Sequence, residues 1–119
     1  MFLNHLIGWM AAGFMLLSIS YSILKRIKLK GKHLRFHCYF GYTSIILATI
    51  HAVANLTEIS LSASLICLLA MLIIMVSGII MRHFRNIFLK NIWIFRFIHI
   101  ILAAICSVAL VIHVVEYLI

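Results

Sequence analysis

Four stretches of this chain, about residues 2–24, 34–56, 61–81 and 92–118, are apolar almost throughout and carry Asp, Glu, Lys or Arg only near their ends. A run of roughly 20 such residues matches the ~30 Å hydrocarbon layer of a bilayer when wound as an α-helix. With 66% hydrophobic residues and a mean hydropathy of +1.25, a chain of 119 residues has too little polar surface to cover a water-soluble core. The pattern predicts an all-α integral membrane protein: one domain, residues 1–119, folded as a bundle of four transmembrane helices.

The formal charge of +8 invites comparison with nucleic-acid-binding proteins, but its distribution argues otherwise. All ten basic residues fall in two clusters, Lys25, Arg26, Lys28, Lys30, Lys32 and Arg35, then Arg82, Arg85, Lys90 and Arg96. Both clusters lie at the ends of apolar runs, where positive charge marks the cytoplasmic side. The only acids, Glu58 and Glu116, lie at the opposite ends. The expected topology puts residues 25–35 and 82–96 in the cytoplasm, in contact with anionic lipid headgroups, and both termini outside. Helices two and four then run parallel, in a plasma membrane of prokaryotic type. The first run has no basic leader and no small-residue cleavage motif, so it reads as a retained span with His5 at its outer end. Trp93 and Tyr117 fit interfacial anchors at the two ends of the fourth span. The 82–91 segment mixes charge with Phe84, Ile87, Phe88 and Leu89, as an amphipathic turn at the interface would.

The informative residues inside this apolar frame are histidines. His37 and His51 lie fourteen residues apart in the second run, and His99 and His113 repeat the spacing in the fourth. Fourteen residues advance a helix to about 40° short of four full turns and raise it about 21 Å, so both members of a pair share a face at two depths. Ionisable groups in lipid are costly and mark function. Two matched pairs on parallel helices bring His37 level with His99 and His51 level with His113. These four are read as axial iron ligands of two stacked, non-covalent haems b held between helices two and four. Zinc or copper is a weaker match, because a tetrahedral site needs three or four ligands at one level.

Small residues stand at helical reach of every proposed ligand: Gly41 after His37, Ala48 before His51, Ala103 after His99 and Ala109 before His113. They are candidates for the surface on which a macrocycle lies. Gly8, Ala12 and Gly13 thin the first run in the same way, allowing a backbone or a flat ring to approach. Arg35 and Arg96 precede the inner ligands and are candidates for pairing with haem propionates; they also mark the membrane edge. Cys38, Cys67 and Cys106 occur singly, without the paired spacing of a c-type haem attachment or a disulfide framework. Cys106 lies seven residues beyond His99, on the proposed haem face. His33 and His83 fall in the basic loops and read as solvated. Asn55, Leu56 and Thr57 match a glycosylation acceptor that is too near the bilayer to count.

The second run, with Phe36 and His37 followed by Gly41, then Ile50, His51 and Asn55, resembles the third helix of the ferric reductase-like transmembrane domains. That group contains NADPH oxidases, ferric reductases and the haem subunit of the bacterial methionine sulfoxide reductase system. The fourth run, with Trp93, Ile98–His99 and Ile112–His113, is similar to that family's fifth helix. The resemblance implies two parallel helices carrying two bis-histidine b haems. The family has six helices, and its reductases add a flavin and nicotinamide domain; this chain shows four runs and no such domain. The haem bundle of cytochrome b in bc-type complexes has a similar ligand spacing.

The functional expectation is a di-haem cytochrome carrying single electrons across the membrane between a cytoplasmic-side or quinol donor and an extracytoplasmic acceptor. It would act as a subunit of a redox complex, with a flavoprotein, an iron–sulfur protein or another cytochrome as partner. A haem-bearing anchor that builds a quinone site for a soluble oxidoreductase, and a histidine-based metal-ion transporter, are the alternatives.

Overall fold

A computed structural model describes residues 2–23, 32–55 and 63–119, with the backbone alone at 32 and 33. These segments are helical except at 55, 84–88 and 119. Helix α1 spans Phe2–Ile23, α2 Lys32–Ala54, α3 Ala63–His83 and α4 Ile92–Leu118. All four are long and apolar enough to cross a membrane. Helix α2 starts two residues before the sequence-based boundary and α3 ends two residues after it. Lys25, Arg26, Lys28, Lys30, Thr57, Glu58, Ser62 and the side chain of His33 lie outside the described residues.

The helices form two compact units, Met1–Leu56 and Thr57–Ile119, each a pair of packed helices. In the first, α1 and α2 run antiparallel, with Asn4 against His51, Ala11 against Ser44 and Ser18 against His37. Each step along this seam is seven residues on both helices. Seven residues fall about 20° short of two turns, so a seven-residue repeat keeps one stripe facing its neighbour if the helices coil gently round each other. A ladder of rings flanks the seam: Phe14 stacks on Phe40 at 5.8 Å between centroids, and Tyr21 lies 5.3 Å from Phe36 and 5.5 Å from Phe40.

The second unit repeats the plan. Helices α3 and α4 run antiparallel, with Cys67 against Cys106 and Ile74 and Ser77 against His99. Their connector closes with a short 3-10 turn, Leu89–Asn91. The amide N–H groups of Ile87 and Phe88 donate to the Phe84 carbonyl, and Asn91 N–H donates to Phe88. Phe88 meets Phe95 edge-on at 5.4 Å and ties the connector to the first turn of α4.

In lipid a polar side chain must find its partner inside the protein. The hydroxyls of Ser20, Thr43, Thr49 and Ser107 each donate to a carbonyl one turn back on their own helix. Among the described residues, no buried side-chain nitrogen or oxygen is without a hydrogen-bond partner.

Candidate functional site

His37, His51 and His99 lie along the seams of their own hairpins. His37 places Nδ1 2.8 Å from the backbone carbonyl of Ser18 and 3.0 Å from its hydroxyl oxygen. The hydroxyl donates in turn to the His37 carbonyl at 2.8 Å. His51 places Nδ1 2.9 Å from the carbonyl of Asn4 and 3.0 Å from its Oδ1. The amide groups close the ring of contacts: Asn4 Nδ2 donates to Asn55 Oδ1 at 2.7 Å, and Asn55 Nδ2 donates to the His51 carbonyl at 2.9 Å. In the second hairpin His99 Nδ1 lies 3.2 Å from the Ile74 carbonyl and 2.9 Å from Ser77 Oγ.

These contacts set the tautomer. A carbonyl oxygen only accepts, so the ring nitrogen facing it must carry the proton. His37, His51 and His99 are all bonded this way at Nδ1, which puts the lone pair of each neutral imidazole on Nε2. Metal-ligating histidines use this arrangement: an N–H held by a carbonyl orients the ring and raises the basicity of the other nitrogen. The donor chemistry therefore fits axial ligation of a haem iron. His113 is half-buried near the end of α4, two heptads beyond His99.

Glycines shape the surface under the rings. A Cβ on Gly8 would lie 2.9 Å from His51 Cε1 and 3.2 Å from its Nε2, so the imidazole rests directly on the α1 backbone. Gly78 does the same more loosely for His99, at 3.5 Å. Gly8 thus makes room for a ligand candidate itself. Gly41, expected to make room for a macrocycle, lets Ser18 approach: its Cβ would lie 3.3 Å from the hydroxyl oxygen. Ala109 is buried, whereas Ala48 and Ala103 are half-buried. Arg35 and Arg96 are exposed, as are Trp93 and Tyr117.

Midway between the histidines of each pair sits the most enclosed side chain of its helix. Ser44 is 1% exposed and donates to the Ala11 carbonyl at 2.8 Å. Cys106, also 1% exposed, touches Cys67 at 3.4 Å between sulfurs. Sequence reasoning marked Cys106 through its spacing from His99 but passed over Ser44, Asn4, Ser18 and Ser77. The same seven-residue step from His37 would have found Ser44. The others supply carbonyls or short polar groups from a neighbouring helix, and no pattern in α2 or α4 points to them.

Among the described residues, no group of three or more His, Cys, Asp or Glu side chains comes together as a metal site. No family model, curated protein or solved structure matches this chain. The resemblance to ferric reductase-like domains rests on the histidine spacing and its flanking residues.

Proposed function

We propose that this protein is a b-type membrane cytochrome that binds two haems through His37, His99, His51 and His113 and carries single electrons across the membrane. The observation that supports this most is the repeated bond at Nδ1. A membrane histidine satisfied for its own sake needs one such bond; here His37, His51 and His99 each make it at the same ring nitrogen. The pairing read from the sequence takes one ligand from each hairpin, His37 with His99 and His51 with His113.

Held by two of these imidazoles each, the haems would supply a one-electron iron couple suited to electron transfer rather than to substrate activation. The protein's part is to orient. Ser18, Asn4 and Ile74 hold a proton on Nδ1 through their carbonyls, keeping each Nε2 a neutral donor. Gly8 and Gly78 let two of the rings lie against a neighbouring helix. Arg35 and Arg96, exposed and close to the inner ligands, are suited to neutralising propionates. The donor is a cytoplasmic-side redox protein or quinol, and the acceptor is extracytoplasmic.

A reduced-minus-oxidised spectrum of protein purified with haem supplied during expression tests the reading. Two equivalents of b-type pigment per chain are expected, falling to one in His51→Ala and in His113→Ala. Absence of α and Soret bands in wild type would refute it. Vesicles loaded with a reductant and given an external acceptor then test transport; pigment without transmembrane reduction describes a haem-bearing anchor instead.

A further inference from the structure

The second hairpin holds a feature that electron transfer through haem does not use. Cys67 and Cys106 are 6% and 1% exposed, with sulfurs 3.4 Å apart. Each thiol also faces the other residue's backbone carbonyl, at 3.8 Å from Cys67 Sγ and 3.7 Å from Cys106 Sγ. The chain is otherwise sparing with cysteine: three in all, with Cys38 in the other hairpin. Two thiols opposed across a helix seam, with no atom between the sulfurs, are placed for a covalent bond. A disulfide needs about 2.05 Å between sulfurs, so each has to move by about 0.7 Å.

We infer that Cys67 and Cys106 form a reversible intramembrane dithiol/disulfide couple whose oxidant is a lipid-soluble quinone. Position selects that class of oxidant. Cys106 lies fourteen residues after Ile92 and twelve before Leu118, about 21 and 18 Å from the ends of α4, far from either aqueous face. Exchange with a soluble disulfide requires a thiolate and an access path for the partner, and this seam provides hydrocarbon. Neighbouring Ile66 and Ile105 are 52% and 45% exposed, so the pair lies one residue in from apolar surface that acyl chains and a quinone ring can reach. The reaction balances without another reagent: two S–H bonds break, one S–S bond forms, and two electrons with two protons reduce the quinone to quinol. The inference does not rest on haem binding.

Protein in phospholipid nanodiscs is incubated anaerobically with decylubiquinone or with oxidised glutathione, denatured in acid, and alkylated with N-ethylmaleimide. Untreated protein should show three alkylated thiols by intact mass, one per cysteine. The quinone should reduce this to one and join the Cys67 and Cys106 peptides, while oxidised glutathione should leave three. Cys38→Ser should still lose two thiols to the quinone. Three thiols persisting after quinone treatment, or a bridge that includes Cys38, would overturn the couple. Equal oxidation by glutathione disulfide would overturn the assignment of a quinone.

Discussion

At the scale of single residues, the seam of the first hairpin sets two glycines against each other. Gly8 carries the His51 ring at a distance no Cβ tolerates, and that ring is tied down through Nδ1 to Asn4. The ring cannot step aside without giving up its hydrogen bond. Gly8→Ala should therefore destabilise the hairpin by about 1–3 kcal/mol, the usual cost of forcing bulk into a packed site. Gly13 has nothing within 4 Å of its would-be Cβ, so Gly13→Ala should be neutral or should stabilise by up to about 1 kcal/mol through lower chain entropy. Unfolding in mixed detergent micelles with increasing dodecyl sulfate measures both. Ser18 invites a second comparison. Ser18→Ala removes the hydroxyl but leaves the carbonyl that holds His37 Nδ1. It should cost about 0.5–2 kcal/mol, as interhelical hydrogen bonds in membranes do, while keeping the tautomer and, under the proposed function, the inner haem. His37→Ala should lose that haem, and a pyridine haemochrome assay separates the two outcomes.

At the scale of elements, the helices were legible because their apolar lengths and charged ends follow directly from bilayer thickness. That His37 and His51 share a face was legible too, because periodicity is a property of one helix. Which neighbour that face meets was not. The answer depends on carbonyls of Asn4, Ser18 and Ile74, and a backbone acceptor leaves no mark in the pattern of side chains. The division into two hairpins was equally hidden, since four similar apolar runs do not say which pairs pack most closely. The seven-residue seam makes a prediction that depends on register alone. In a Cys38→Ser background, Ala11→Cys combined with Ser44→Cys should cross-link in high yield with a thiol oxidant, because Ser44 already reaches the Ala11 backbone at 2.8 Å. Ala11→Cys paired with Ile46→Cys should not, because Ile46 is 60% exposed and lies off the seam. The bridge to be scored is the 11–44 one, identified by peptide mass. Equal yields for the two pairs would mean that α1 and α2 meet in another register.

For the whole molecule, orientation decides which ends of α2 and α4 face the same compartment, and it follows from charge rather than from packing. Each Lys or Arg near a membrane span resists translocation, whereas Glu contributes little. All ten basic residues lie within 25–35 or 82–96, and the stretch 55–62 between the second and third spans has none. Both clusters therefore favour the cytoplasm and neither opposes the other. The expected topology has residue 119 outside and the 82–91 connector inside, the orientation that the proposed function assumes for α4. Alkaline phosphatase fused after Ile119 should be active in a bacterial host, and a green fluorescent protein fused there should be dark; the reverse should hold for fusions after Lys90. Replacing Arg82, Arg85, Lys90 and Arg96 with Gln should weaken this preference and raise fluorescence from the Ile119 fusion. A wild-type Ile119 fusion that is fluorescent, with inactive phosphatase, would place that end of α4 inside and rule out the charge-derived topology.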